Sequence, residues 1–179
     1  MKILFLGPQG SLCSWLQEQY EVFQTEEKIT PEEAAGFDWL ISYGYRHIIK
    51  KPVLDLFPKR AINLHISFLP WNRGADPNFW SWRDNTPKGV SIHFIDEGLD
   101  TGDILVQRIV HMDDDETLSS SYLKLKEDIE QLFKESWIWI INGWLQGFKQ
   151  PPGGSFHWKR DKTWAGPWDT PVKQIGELT

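Results

Sequence analysis

The first half of the chain alternates short apolar runs with amphipathic segments. The stretches KILFLG, FDWLISYG and RAINLH are typical of buried strands, and EVFQT indicates a further short strand. Between them, SLCSWLQEQY repeats its apolar positions at helical spacing, KKPVLDLF indicates a short helix, and Thr30, Pro31 and Glu33 form a helix-start signature. Strands that alternate with helices at short intervals predict an α/β fold, in which a Rossmann-like, mostly parallel sheet carries helices on both faces.

The pattern changes after Pro77. The stretch GVSIHFID alternates apolar and polar residues, and DILVQRIV follows a link rich in glycine and aspartate, so the two predict an antiparallel hairpin. From residue 117 to about residue 145 the apolar positions follow the period of a helix, which predicts one long amphipathic helix. Its end, WIWIINGW, is apolar on nearly every side and needs a cover from the tail or from another subunit.

The residues after QPPGG have the composition of a tail. They are rich in glycine and proline, and SFHWKR is their one strand candidate. We therefore expect one domain over residues 1–150, in which a helix and a hairpin extend the sheet on the C-terminal side. A tail over residues 151–179 should pack on the same domain or on a dimer partner.

Composition narrows the class of protein. A chain of 179 residues is long enough for one buried core. The net charge of -6 argues against binding to nucleic acid or to a membrane surface, and KILFLG is too short for a signal peptide or a membrane span. One cysteine, Cys13, allows no intrachain disulfide, so a cytoplasmic protein is expected. The 11 tryptophans favour core or homodimer packing over sugar binding.

Two candidate sites lie where buried strands end, which is where open parallel sheets bind ligands. The loop GPQGSL, with Gly10 and Ser11, could offer backbone N–H groups to a phosphate, but it is neither GxGxxG nor a Walker A loop, and a ligand-free turn fits equally well. Asn63 and His65 are two positions apart on a strand and so face one cavity. An amide and an imidazole could stabilise an oxyanion and move a proton, or could simply satisfy loop backbone.

The third candidate is the hairpin link DEGLDTGDI. One of its carboxylates could hold a histidine in its useful tautomer, although a solvated acidic turn would have the same composition. His65, His93, Asp100 and Asp103 could also be metal ligands, but the chain lacks HExxH and paired Cys/His spacing, so no metal site is expected. Nucleophilic catalysis is not favoured either, because Cys13 lies on a helix and no GxSxG elbow is present.

Taken together, these stretches resemble a known family. NLHISFLPWNRG followed by GVSIHFIDEGLDTGDILVQ is similar to the catalytic domain of enzymes that use 10-formyltetrahydrofolate, with Asn-x-His, a Leu-Pro-x-x-Arg-Gly-like loop and Asp-x-Gly in order. The resemblance runs from residue 1 to about residue 110. It implies the formyltransferase catalytic fold, with Asn63, His65 and Asp100 as the catalytic trio. In that chemistry Asn63 stabilises the oxyanion, His65 acts as general base for the attacking amine, and Asp100 orients His65 and helps to relay a proton to the leaving nitrogen.

The resemblance also implies contacts to both substrates. The segment SYGYRHII would hold the folate, and the hairpin link would close the other side; the implied residues are Tyr45, Arg46, His47, Ile48, Glu97, Gly98 and Gly102. The implied contacts to the formyl acceptor are Gly10, Ser11, Arg73, Gly74, Pro77 and Trp80. Arg73 is the open case, since it could hold its loop or touch the substrate.

The resemblance says less about the acceptor. The chain lacks the second domain and the charge expected of enzymes that formylate initiator tRNA. Its loop FLPWNRGADPNFWSW resembles that of sugar N-formyltransferases, which implies a nucleotide-linked amino sugar, a 4-amino-4,6-dideoxy sugar on a route to a pseudaminic-type acid. One alternative is phosphoribosylglycinamide formyltransferase, because GPQGSL is similar to the phosphate loop of that enzyme except at Leu12. Another is a formyltetrahydrofolate hydrolase. A Trp-rich sugar-binding module is the non-enzyme alternative.

Overall fold

The computed structural model describes residues 1–178 of the chain. Its strands are β1 (Lys2–Leu6), β2 (Glu21–Thr25), β3 (Trp39–Tyr43), β4 (Ala61–His65), β5 (Arg73–Gly74), β6 (Gly89–Phe94), β7 (Ile104–Ile109) and β8 (Phe156–His157). Its helices are α1 (Ser11–Gln17), α2 (Pro31–Ala34), α3 (Lys51–Leu54), α4 (Pro77–Arg83), α5 (Leu118–Ile141) and α6 (Val172–Gly176).

Six strands form one sheet in the order β2-β1-β3-β4-β6-β7. The pairs β1–β2, β1–β3 and β3–β4 are parallel, whereas β6 runs antiparallel to both β4 and β7. The antiparallel pairs form the hairpin extension of an otherwise parallel sheet. The predicted α/β fold class is therefore confirmed.

Apolar side chains alternate between the two faces of the sheet and bury both of them. On one face, Ile3, Phe5 and Ile41 pack with α1 and α5. On the other face, Leu4 and Leu40 pack with α2 and α3. Residues of odd and even number on one strand point to opposite faces, which is why near-continuous apolar runs such as KILFL serve two cores at once.

The long helix α5 begins as predicted and ends earlier. Thr117 accepts a hydrogen bond from the Ser120 N–H at 3.1 Å and so caps its N-terminus. The helix stops at Ile141 rather than near residue 145, because Gly143 takes a positive φ of 67° that ends the helical backbone. Half of the Trp139 surface and 60% of that of Trp144 are exposed, so the tail does not cover this end.

The tail adds a strand that the sequence pattern predicted with longer bounds and a helix that it did not predict. The strand β8 has two residues and pairs in parallel with β5, in place of the six residues of SFHWKR. The helix α6 packs on α4, and Ile175 is fully buried there. The helices α4 and α6 are too short to show a periodic pattern of their own. Tertiary contacts rather than length stabilise them. No helix within residues 1–178 combines the length and the apolar character needed to cross a membrane.

Candidate active site

The carboxyl end of β4 places two polar side chains at the edge of the core. Asn63 and His65 alternate with the buried Ile62 and Leu64, and so both point to the same side of the sheet. The neighbouring strand β6 runs antiparallel, and its register sets His93 directly opposite Asn63. Two imidazoles and one amide therefore meet on one side of the sheet.

Asp100 reaches this group from the link between β6 and β7. Its backbone has a φ of 53°, which turns the link back over the end of β4. Asp100 Oδ1 accepts a hydrogen bond from Asn63 Nδ2 at 3.0 Å, and Oδ2 accepts one from the Gly74 N–H at 2.8 Å. Asp100 Oδ2 also lies 3.7 Å from His65 Nδ1. The structure thus brings the predicted trio together.

The surroundings of Asp100 favour its charged form. Burial alone would raise the pKa of the carboxyl group. The charge of His65, the hydrogen bond and charge of His93 and the Gly74 N–H outweigh it and hold the Asp100 pKa well below its usual range. Asp100 is therefore a carboxylate at neutral pH.

A backbone carbonyl fixes the tautomer of His65. Its Nε2 lies 3.0 Å from the carbonyl oxygen of Asn72, so this nitrogen carries the proton and donates it. In the neutral ring the lone pair is then on Nδ1, which faces Asp100. A proton taken up at Nδ1 would be held next to the carboxylate, as a general base requires.

Asn72 is a site residue that the sequence reasoning missed. It is fully buried, with a φ of 54°, and its side-chain Nδ2 donates to Thr86 Oγ1 at 2.7 Å. Ser155 in the tail donates from Oγ to Asn72 Oδ1 at 3.1 Å and accepts from the Asn72 N–H at 2.9 Å. No local signal reveals this role, because Thr86 and Ser155 are distant in sequence. Asn72 positions the carbonyl that orients His65.

The sequence pattern suggests His93 only as a possible metal ligand, whereas the structure makes it a neighbour of the trio. Its Nδ1 donates to the Phe94 carbonyl at 2.7 Å, which leaves Nε2 facing Asn63 Nδ2 at 3.3 Å and Asp100 Oδ1 at 3.4 Å. The ring is 2% exposed. His93 therefore anchors the amide of Asn63. Among residues 1–178, no group of three His, Cys, Asp or Glu side chains is suited to hold a metal ion.

The predicted folate residues lie on two loops, one after β3 and one between β6 and β7. After β3, the Tyr45 hydroxyl donates to the Glu27 carbonyl at 2.7 Å, and the Tyr45 and His47 rings meet edge-on at 5.2 Å. Arg46 is exposed, and Ile48 keeps 64% of its surface exposed. Glu97, in the link between β6 and β7, lies 3.5 Å from the Lys51 ammonium group. This ion pair brings the link close to the start of α3, which follows the segment 45–48 along the chain.

The two glycines of the link are required by its close packing. A Cβ on Gly102 would lie 1.8 Å from the carbonyl oxygen of Phe94, and one on Gly98 would lie 2.0 Å from Thr101 Oγ1. Both positions shape the turn that carries Asp100 to the site.

The predicted acceptor residues divide into several groups. At the start of α1, the Ser11 hydroxyl donates to the Glu130 carboxylate, and Gly10 is the residue before the helix. The charged group that Ser11 contacts is thus a carboxylate rather than a cation. Arg73 directs its guanidinium to the carbonyls of Ser155 and Gly153, at 3.5 and 3.4 Å, and so holds the tail.

The remaining three acceptor candidates follow β4 along the chain. Gly74 contacts Asp100 through its N–H, as described above, and Pro77 is the first residue of α4. Trp80 is 3% exposed and stacks on His157 with the ring centres 3.9 Å apart. A buried ring of this kind supports α4 and the tail and offers no open face to a substrate.

Comparison with known proteins identifies the family. Residues 16–136 match the formyl transferase family. A methionyl-tRNA formyltransferase from Ruminiclostridium cellulolyticum is 35% identical over 136 residues, 73% of this chain and 44% of its own length. One from Desulfotalea psychrophila is 39% identical over 105 residues, 58% of this chain and 32% of its own length. The chain thus spans less than half of the length of these curated relatives.

Solved structures match over a larger share of both chains. The formyltransferase PseJ from Anoxybacillus kamchatkensis, in complex with UDP-4,6-dideoxy-4-formamido-L-AltNAc and tetrahydrofolate, is 46% identical, with a TM-score of 0.92 and 99% of both chains covered. A 4-N formyltransferase from Francisella tularensis shares the fold, with 20% identity and a TM-score of 0.79 over 99% of this chain and 86% of that one. The family resemblance seen in the sequence is confirmed: the chain belongs to the formyl transferase family.

Proposed function

We propose that this protein transfers the formyl group of 10-formyltetrahydrofolate to the amine of a UDP-linked 4-amino-4,6-dideoxy sugar. The similarity to PseJ over 99% of both chains carries the proposal, since that relative was solved with a 4-formamido sugar nucleotide and tetrahydrofolate. The juxtaposition of Asn63, His65 and Asp100 supplies the chemistry that such a transfer needs.

The site residues divide this chemistry between them. When the amine attacks the formyl carbon, Asn63 Nδ2 donates to the developing oxyanion, releasing its longer bond to His93 at 3.3 Å. His65 Nδ1 accepts the proton of the amine, and the Asp100 carboxylate stabilises the resulting imidazolium. The same ring then returns the proton to the departing nitrogen of the folate.

The folate is expected between the segment after β3 and the link between β6 and β7. Tyr45, Ile49 and Ile95 pack against the same apolar cluster, and 64% of the Ile48 surface is exposed. A flat heterocycle with a polar rim requires apolar walls and nearby backbone groups. Because the link carries Asp100, a folate bound against it would lie beside the trio.

Formyl transfer can be measured directly. The protein is incubated with 10-formyltetrahydrofolate and a panel of amines: the UDP-linked 4-amino-4,6-dideoxy sugar, its dTDP counterpart and glycinamide ribonucleotide. Loss of the folate's formyl group that depends on the sugar nucleotide supports the proposal. Loss with glycinamide ribonucleotide alone supports the purine-pathway enzyme, and loss without any acceptor supports a hydrolase. Sugar binding without loss indicates a binding module.

We further propose that the protein works in the cytoplasm as a homodimer, without nucleic acid or membrane partners. The buried free thiol of Cys13 suits a reducing compartment, and the net charge of -6 does not suit a polyanion. Ile138, Trp139 and Trp144 leave an apolar patch exposed at the end of α5, which a second copy would cover.

A further inference from the structure

One side chain after α5 holds the link that carries Asp100. Gln150 Nε2 donates to the carbonyl of Asp100 at 2.7 Å and to that of Gly102 at 3.0 Å. In the part of the chain that the structure describes, no other side chain donates to either carbonyl. A single amide therefore bridges the backbone on both sides of Thr101.

The backbone of Asp100 needs this support. Its φ of 53° lies in the left-handed region, which a residue other than glycine adopts only where its surroundings hold it there. Asp96 holds part of the link, because its Oδ1 accepts from the Gly98 N–H at 3.0 Å and from the Thr101 hydroxyl at 2.6 Å. Neither bond involves Asp100. A displaced Gln150 amide would thus leave the Asp100 backbone free to shift.

The backbone of Gln150 is fixed on both of its sides along the chain. Two residues before it, Phe148 exchanges both backbone hydrogen bonds with Ile104, at 2.8 and 2.9 Å. After it, Pro151 and Pro152 have restricted φ angles, and a residue that precedes proline favours extended backbone. The amide therefore projects from a stiff segment, which can hold the link in one place.

The partners of the Gln150 amide determine its orientation. Both partners are carbonyl oxygens, which only accept hydrogen bonds, so Nε2 and not Oε1 faces the link. Oε1 is buried and meets no donor within residues 1–178. An unpaired buried acceptor opposes folding, and exceptions of this kind occur at functional sites. The contribution of this amide therefore lies in the two bonds that it donates.

From these contacts we infer that Gln150 is a positioning residue, which holds the Asp100 carboxylate beside Asn63 and His65 by fixing the backbone of the link. The inference rests on the proposed function, because it concerns the same trio. Gln150 contacts the backbone of Asp100 and none of the three side chains of the trio. Neither the sequence motifs nor the candidate folate and acceptor contacts include this residue.

Gln150→Met tests the inference, because methionine has nearly the length of glutamine but no N–H group. A shift of 1 Å in a site can cost about 10²-fold in rate, so we expect kcat for formyl transfer to fall roughly 10- to 100-fold. The KM for the sugar nucleotide should stay unchanged. Gln150→Asn keeps an amide but is one methylene shorter, so it should lose kcat in the same way. Thermal unfolding checks that both variants fold.

Gln146→Met is the matched control. Gln146 lies in the same segment, is exposed, and donates to the Gly143 carbonyl rather than to the link. The same replacement there should leave kcat at the wild-type value. A kcat loss in Gln150→Met that Gln146→Met does not share would therefore come from the two bonds to the link.

A second measurement does not depend on formyl transfer. Burial raises the pKa of Asp100, but the charge of His65, the contacts of His93 and the Gly74 N–H hold it below its usual range. In a carbon-13 NMR titration from pH 6 to pH 3, the Asp100 carboxyl of the wild type should keep its ionised shift. In Gln150→Met these contacts loosen, so the pKa should rise toward the ordinary value of about 3.9 and the signal should move.

A double-mutant cycle shows whether Gln150 acts through Asp100. Asparagine tolerates the φ of 53°, so Asp100→Asn keeps the turn while removing the charge. Adding Gln150→Met to Asp100→Asn should then lower kcat no further, because residues that act through one contact are not additive. A fully additive loss would overturn the inference.

The remaining results separate this inference from the proposed function. Wild-type kcat in both Gln150 variants, or an Asp100 signal that titrates in Gln150→Met as it does in the wild type, overturns the positioning role. If the wild type still formylates the sugar nucleotide, the proposed function stands without it. If the wild type formylates no sugar nucleotide but the Asp100 signal moves in Gln150→Met, the positioning role stands and the proposed function fails.

Discussion

Asp100 is the residue on which the other site contacts converge. It accepts hydrogen bonds from Asn63 and from the Gly74 N–H, and it faces His65 and His93. Each contact favours the carboxylate, and together they fix the amide plane and the imidazole that the proposed reaction would use. A substitution that removes an atom of the proposed reaction should lower turnover. A substitution that removes the charge of Asp100 should also change stability.

Replacing Asn63 with alanine removes the proposed oxyanion donor. Loss of one such donor typically lowers the turnover rate by about 10²- to 10³-fold. We expect Asn63→Ala to show this loss in kcat for formyl transfer, with little change in the KM for the folate, since the amide acts in the transition state. Steady-state kinetics measure both constants. Thermal unfolding checks that the variant folds, and a folded variant with wild-type kcat would contradict the role.

Asp100 should also change how the free energy of unfolding depends on pH. Because its pKa is lower in the folded protein than in the unfolded chain, where it is about 3.9, its contribution is fully present above that value and is lost as pH falls toward the folded pKa. We expect the wild type to be more stable than Asp100→Asn at pH 5, and the difference to shrink below about pH 4. Urea unfolding from pH 5.5 to pH 3 measures it. Asp103→Asn, in the same link, is the control, and a difference that stays constant with pH would refute the assignment.

At the scale of elements, the segment after α5 acts as a clamp on the site. Phe148 pairs with Ile104 at the start of β7, and Gln150 Nε2 donates to the carbonyls of Asp100 and Gly102 at 2.7 and 3.0 Å. Farther along, Ser155 holds Asn72, which in turn orients His65. The tail therefore supports both the carboxylate and the imidazole from outside the sheet.

Ser155→Ala tests the clamp. It leaves the Asn72 N–H and Oδ1 without their hydrogen-bond partner, and an unsatisfied buried polar group costs about 1–3 kcal/mol. We expect a loss of that order in the free energy of unfolding and a lower kcat, because His65 loses its fixed orientation. Chemical denaturation and kinetics measure the two effects. Ser119→Ala, whose side chain makes no such contact, should change neither; an equal loss in both variants would show that Ser155 has no special role.

At the scale of the whole molecule, the sequence predicted what depends on local pattern. The near-continuous apolar run KILFL and the strand AINLH were sufficient to predict the parallel sheet, and the strand periodicity placed Asn63 and His65 on the same side. Asn72, His93 and the pairing of β5 with β8 escaped prediction, because their roles depend on partners far away in the chain. Long-range contacts also decide the short helices α4 and α6.

The exposed end of α5 predicts the assembly state. Trp139 and Trp144 pack edge-on at 5.0 Å and remain half-exposed or more, which favours burial against a second copy. We expect light scattering at micromolar concentration to give twice the chain mass of 20.9 kDa, and Trp139→Glu to give the single-chain mass. Phe23→Glu places the same charge at another exposed aromatic residue and should remain dimeric. A monomeric wild type would contradict the proposed homodimer.

The proposed reaction is the transfer of a formyl group to an amino sugar nucleotide at the trio Asn63, His65 and Asp100. Its most direct test is a mass balance with 10-formyltetrahydrofolate and the UDP-linked 4-amino-4,6-dideoxy sugar, followed by mass spectrometry of the sugar and absorbance of the folate. We expect the wild type to form one formamide for each formyl group lost, and His65→Ala to form only negligible amounts. Formyl loss of equal rate with and without the sugar nucleotide, with no formamide detected, would contradict it.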